Sequence, residues 1–265
     1  MKNILVPVGS SRNAVSHLQY AIDFAKEFGA KVYVVQIYNV YTKAGTMIKV
    51  DHILERESLA FLKEHITKVD QKGVKVVIKT FKGKLVETLE LVCKSLDIDL
   101  VVIEPRTNSV KERVYLGNTS GKMVKQTDLP VLIVPEGLVY KPIKSILMAT
   151  KSAIIRRENV LDQLRDIKEK YSAELNLLLV KTAFFTEDDF IVNDELSSMV
   201  TNTVKTESPT TFQAVLENYK DYNPDILCVV RRKRGFFTKL WEKNSIMKKD
   251  FYSSTMPVLV LKGLK

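Results

Sequence analysis

The chain has 265 residues, 45% hydrophobic and 27% charged, with a mean hydropathy of -0.05. These are globular proportions at close to the length of two domains of roughly 150 residues, and they exclude disordered and collagen-like structure. No run approaches the roughly 18 apolar residues of a membrane span, and the opening residues are too strand-like for a secretory signal, so the expected location is the cytoplasm.

In chain order, short Val- and Ile-rich runs at residues 4–6, 32–37, 74–78, 100–103 and 131–134 alternate with helical patterns at 13–28, 53–72, 84–96 and 119–127. Runs that are apolar at consecutive positions suit strands covered on both faces, as in a parallel sheet. In the first helical segment, Ala14, Leu18, Ala21, Ile22 and Ala25 form one apolar stripe. Residues 136–142 read as a connection, with Gly137 lying between Pro135 and Pro142. The second half supplies strands at 146–148, 175–180, 203–206, 226–230 and 258–261. Its acidic stretch 186–199 reads as a shortened helix or an ordered loop.

Residues 2–10 (KNILVPVGS) and 144–152 (KSILMATKS) match at a constant offset of 142, and DLPVLIV at 128–134 matches TMPVLVL at 255–261. The chain is therefore a tandem duplication, with units expected at 1–138 and 143–265. Each unit is expected to be a doubly wound α/β domain, a five-stranded parallel sheet in the order 3-2-1-4-5 with helices on both faces. The last strand of each unit is short, apolar and uncharged, which makes an unpaired edge hazardous. The economical cover is for 131–134 to lie against 258–261 across a pseudo-twofold axis, imitating a homodimer within one chain. Pairing of each edge with another molecule, giving a further homodimer, is the alternative.

Cys93 and Cys228 stand in apolar surroundings and read as reduced, buried thiols. His17, His52 and His65 lie in separate segments without ligand spacing, so no metal site is expected.

The duplicated pattern, with Ile-Leu-Val-Pro opening the domain and Leu-Gly-Asn-Thr-Ser followed by Leu-Pro-Val-Leu-Ile-Val-Pro closing it, resembles the universal stress protein family over essentially the whole chain. That resemblance implies a Rossmann-like, adenine nucleotide alpha hydrolase-like fold and a family divided into members that bind ATP and members that do not. ATP-binding members carry an Asp at the end of the first strand and, after the fourth, a loop of the form GxxG, nine residues, then G[S/T]. Glycines let backbone N–H groups approach phosphate oxygens, and the following helix N-terminus favours the anion.

Transferred onto this sequence, the Asp position falls on Gly9 in the first unit and Lys151 in the second. Counting back from Gly117, the first two glycines fall on Glu104 and Thr107, and the hydroxyl position on Asn118. A carboxylate at Glu104 repels phosphate, and Pro105 has no N–H to offer. In the second unit, alignment from Pro257 places Arg231, Arg234, Asn244 and Ser245 at the motif positions. Alignment from Asp225, as the partner of Asp99, moves the first two to Val230 and Lys233. Neither register restores a glycine pair.

The net charge of +10 is unevenly spread. Residues 231–249 hold eight basic side chains and one acidic one, while the rest of the second unit is net negative. Arg231, Arg232, Lys233 and Arg234, with Ser245, are therefore the candidate anion- or partner-binding residues, near the strand ends where doubly wound folds bind ligands. A small polyanion or nucleotide, an acidic protein surface and nucleic acid all fit such a patch. Phe237 and Trp241, four apart, read as helix-face anchors to the core, and no helix-turn-helix, zinc-finger or RRM signature supports sequence-specific nucleic-acid reading.

No GxSxG elbow, P-loop, GxGxxG or paired-carboxylate frame is present, so no catalytic residues are assigned. Ser10 and Ser11 read as a cap for the first helix, or as a seat for one phosphate. The expectation is a tandem, non-catalytic stress-response regulatory or interaction protein with eroded ATP motifs and no cofactor. The alternative is a sensor that binds ATP or AMP through Gly9, Ser10, Gly117, Asn118 and Thr119.

Overall fold

One continuous sheet of ten strands runs through both halves, in a computed structural model that describes residues 1–9, 11, 13–39, 50–105, 118–155, 157–183, 185–231 and 256–263. The first half contributes β1 (Asn3–Pro7), α1 (Ala14–Phe28), β2 (Lys31–Tyr38), α2 (Val50–Thr67), β3 (Val76–Lys82), α3 (Leu85–Ser95), β4 (Leu100–Ile103), α4 (Asn118–Gln126) and β5 (Val131–Ile133). The second contributes β6 (Ser145–Thr150), α5 (Asp162–Tyr171), β7 (Glu174–Lys181), a 3-10 turn (Glu187–Phe190), α6 (Asp194–Met199), β8 (Asn202–Glu207), α7 (Thr211–Tyr222), β9 (Ile226–Val230) and β10 (Val258–Leu261). No helix among the described residues is long and apolar enough to cross a membrane.

The strand order is β3-β2-β1-β4-β5-β10-β9-β6-β7-β8. Each half is the expected 3-2-1-4-5 parallel array, and the halves meet where β5 and β10 pair antiparallel. Leu132 lies opposite Leu259, flanked by Ile133 opposite Val258 and Val131 opposite Val260. Since Leu132 and Leu259 are equivalent residues of the repeat, the pseudo-twofold axis passes between them. The pairing removes both apolar edges from solvent.

Alternation along the strands sends side chains to two cores, each continuous across the halves. Ile4, Val6, Leu132, Ile146 and Leu259 pack on the face covered by α1, α2, α5 and α6. Leu5, Val131, Ile133, Leu147 and Val260 pack on the face covered by α3, α4 and α7. The stripe of α1 is buried as expected, and Gly29, at φ 61, ends that helix in the left-handed conformation that a glycine adopts without strain. On the first face an aromatic cluster closes the junction. Tyr140 of the connection meets Tyr20 of α1 edge to face, and its hydroxyl lies 2.7 Å from that of Tyr171 at the end of α5.

Several boundaries differ from the sequence reading. β3 starts at Val76, because Lys72 and Gly73 both take positive φ and turn the chain before it. The segment 186–199 divides into the 3-10 turn and α6, where Asn193 caps by accepting the N–H of Leu196. At α1 the capping position is Asn13, which makes no side-chain cap bond, and the Ser11 hydroxyl instead accepts the N–H of Asn13 at 3.2 Å.

The repeat is visible at the level of single atoms. Asp99 Oδ2 accepts the N–H groups of Lys2 and Asn3, and Asp225 Oδ2 accepts those of Lys144 and Ser145. Each carboxylate thus binds the start of the first strand of its own half to the start of the fourth. Burial by itself would raise the Asp225 carboxyl, but the Lys141 ammonium and the two N–H donors outweigh it and hold its pKa below the ordinary range. This bond is therefore present above the unfolded carboxyl's pKa and is lost as pH falls through the lower folded value. Asp99→Ala and Asp225→Ala are each expected to lose about 2 kcal/mol of stability in urea denaturation at neutral pH, because two backbone donors lose a charged acceptor.

Candidate functional site

The carboxyl ends of β1 and β4 in the first half, and of β6 and β9 in the second, form two crevices where the order of the sheet reverses. In the first, Val8 extends the strand by donating its N–H to Val35 O at 2.8 Å, and the chain then turns at Gly9, whose carbonyl accepts from Ser11 N. The register of β1 on β4, Ile4 beside Leu100, carried forward by four residues brings Val8 alongside Glu104. The Ser120 hydroxyl, on a residue 3% exposed, donates to Glu104 O at 2.6 Å. That bond ties the first turn of α4, which includes Asn118 and Thr119, to the end of β4. Ser10 and Gly117 lie outside the described residues, as does Thr107.

Beneath this crevice, His17 of α1 is buried, with Nε2 3.3 Å from Val102 O and Nδ1 without a hydrogen-bond partner. Sequence reading treated His17 only as a non-ligand; its burial comes from its place on the sheet side of α1. Burial lowers its pKa to about 4, against a smaller upward pull from the Val102 carbonyl.

In the second half the loop after β6 is tied to an acidic turn of the same chain. At the last residue of β6, Thr150 Oγ1 donates to Ser152 O at 2.6 Å, and Ala153, 1% exposed, donates its N–H to Asp189 O at 2.7 Å. Asp189 belongs to the 3-10 turn, where its carboxylate accepts from both the N–H and the hydroxyl of Thr186 at 3.0 Å. Burial would raise the Asp189 carboxyl, yet the Ser152 hydroxyl, Thr186 and the nearby Lys151 ammonium together hold it below its ordinary value. An acidic residue thus sits over the position that Lys151 occupies at the end of β6.

The two sequence alignments of the second loop are resolved at its start. Asp225 repeats the role of Asp99, and Val258 pairs with Leu227 as Val131 pairs with Val101, so Val230 and Lys233 are the counterparts of Glu104 and Thr107. Among the candidate cations only Arg231 is described, and it is 3% exposed. Its Nη1 donates to Leu129 O at 2.8 Å, across the junction, so the side chain is turned inward instead of into solvent. Arg232, Lys233, Arg234 and Ser245 lie outside the described residues.

Cys93 and Cys228 are free and buried, and burial pushes both thiols up, Cys93 to about 12. Among the described residues no group of three His, Cys, Asp or Glu side chains is placed to hold a metal ion.

The sequence pattern of the universal stress protein family matches residues 1–135. A universal stress protein of Methanocaldococcus jannaschii is 25% identical over 138 residues, covering 50% of this chain and 81% of the relative. Among solved structures, a universal stress protein from Archaeoglobus fulgidus superposes with a TM-score of 0.68 at 20% identity, covering 98% of both chains. A functionally unknown protein from Pseudomonas aeruginosa does so with a TM-score of 0.57 at 14% identity, covering 98% of this chain and 92% of that one. The last two likenesses concern the fold.

His17 makes stability depend on pH in a defined sense. The unfolded imidazole titrates near 6.5 and the folded one near 4, so between these values the unfolded chain binds more protons and stability falls as pH falls. The full contribution is about 3 kcal/mol. Urea denaturation of wild type and His17→Gln across this window is expected to show the extra loss in the wild type alone.

Proposed function

The chain belongs to the universal stress protein family, and for it we propose a role without turnover, as a regulatory or interaction protein whose ATP sites are eroded in both copies, 1–138 and 143–265. The observation that supports this reading is the Ala153–Asp189 bond, which ties the chain's own acidic turn to the loop after β6. An anionic triphosphate there meets a carboxylate already held by Ser152 and Lys151. In the first copy, Gly9 replaces the family's carboxylate, and Glu104 and Pro105 stand where phosphate would need N–H donors. The absence from the sequence of any familiar nucleophile, P-loop or acid–base frame supports a role without catalysis.

On this reading the partner is an acidic protein surface or a small polyanion met by Arg232, Lys233 and Arg234, with Ser245 as a further candidate, whereas Arg231, 3% exposed, is withdrawn from any surface partner and is open only to a small ion; the protein acts in the cytoplasm. Cation-driven recognition of this kind weakens with salt.

One observation favours a second reading, an ATP- or AMP-binding sensor. The Ser120–Glu104 bond anchors the N-terminus of α4 at the end of β4, so the backbone of Asn118 and Thr119 opens a helix at the carboxyl end of the strand beside β1; the sensor would use these two residues with Gly9, Ser10 and Gly117.

The two readings separate on the purified, denatured protein. Chromatography of the supernatant is expected to show no adenine nucleotide, and a near-stoichiometric amount would transfer the conclusion to the sensor.

A further inference from the structure

The corner where the two halves meet beyond β10 carries positive charge that the described side chains do not balance. Arg231 follows β9, and its Nη1 lies 3.9 Å from Asp128 Oδ1. That carboxylate is shared: its Oδ2 takes Arg157 Nη1 at 2.9 Å, and its Oδ1 accepts the N–H of Gly263 at 2.8 Å. Two guanidinium groups therefore converge on one carboxylate. Gly263 is needed for this approach, since a Cβ there would lie 2.5 Å from Arg231 O.

The opposite edge of the Arg231 guanidinium is the anomaly. Nε and Nη2 are buried and have no hydrogen-bond partner, and among the described residues no other cationic side chain is in that position. A buried ion that has lost its water needs replacement hydrogen bonds and a counter-charge, and Arg231 has one backbone acceptor and a part share in Asp128. Burial accordingly draws its pKa down to about 10, despite the opposing effect of Asp128. The Nε–Nη2 edge offers two coplanar N–H donors spaced for two oxygens of one oxyanion, the arrangement for which a guanidinium is better suited than an ammonium.

We propose that the Nε–Nη2 edge of Arg231 binds a small inorganic oxyanion of the phosphate class, and that this ion fastens the two copies together at the Asp128–Arg231 corner. Donors this deeply buried favour a compact ion over a nucleotide. The interdomain role follows from the parts: Asp128 and Leu129 lead into β5 of the first copy, while Arg157, Arg231 and Gly263 belong to the second. The assignment rests on reading Arg231 as an anion ligand and is independent of the state of the two nucleotide crevices.

Thermal unfolding of the full chain tests it, with sodium phosphate titrated against sodium chloride at matched ionic strength and neutral pH. The expected result is a saturable rise in Tm with phosphate and none with chloride, with an apparent phosphate affinity at least about tenfold weaker in Arg231→Lys, which keeps the charge but loses the planar edge. In parallel, wild-type protein is expected to broaden the phosphorus resonance of inorganic phosphate. A chloride response equal to that of phosphate, a rise that never saturates, or an undiminished response in Arg231→Lys overturns the proposal. Should Arg231→Lys fail to fold, the wild-type titration and resonance decide by themselves. AMP is the discriminating arm: stabilisation by AMP without any by phosphate overturns the small-ion site and favours the sensor reading, whereas phosphate stabilisation without AMP binding supports the site.

Discussion

The antiparallel contact of β5 with β10 is the interaction on which the rest of the molecule depends. Each strand is three or four residues of unbroken aliphatic side chains, and every one of them is buried once the two are paired. Either strand left at an edge would expose backbone donors and acceptors beside apolar side chains, the combination that recruits another chain. By satisfying one edge with the other, the tandem chain builds within itself the contact that two separate copies would otherwise make. The two cores then run unbroken from half to half, and the connection through Tyr140 is drawn into the aromatic cluster on the first face.

This arrangement relaxes the demand for identity between the copies. The clamps at Asp99 and Asp225 and the register of the central strands are retained, because they set the frame of each half. The strand ends have diverged. The first half keeps a long α2, whereas in the second the corresponding stretch is shortened to α6 and the acidic turn is laid over the loop after β6. A homodimer of identical chains would have to change both crevices together, but a fused pair can alter one and leave the other different. Arg231 is a further product of that asymmetry, since its counterpart in the first copy is Pro105, which has no charge to place at the junction.

Most of the strands, their order and the meeting of the two edges were legible in the sequence, for a common reason. Parallel strands buried on both faces must be apolar at consecutive positions, and a duplication repeats that signal at a fixed offset, so residues 131–134 and 258–261 identify each other without coordinates. The site was less legible. The sequence offers Ser10 or Ser11 as the cap of α1, yet the Ser11 hydroxyl accepts the N–H of Asn13, ahead of the helix, a matter of loop geometry that residue identity does not fix. The helix at 211–222 went unassigned, although Thr210 before Phe212 and the αL Asn223 at its end are ordinary start and stop signals.

What the sequence determined by itself was the class of each segment, the repeat and the family resemblance, all of which depend on residue type and spacing along the chain. The tertiary structure alone decided the fate of individual polar groups. It placed Asp189 over the loop after β6, gave His17 a carbonyl from β4, turned Arg231 away from solvent, and fixed the register at which Asp225 matches Asp99. The physical reason is range. Hydrophobic periodicity is summed over many neighbours and survives the loss of detail, whereas a hydrogen bond or ion pair joins residues 36 or more than 100 positions apart and exists only once their elements are set within an ångström of one another.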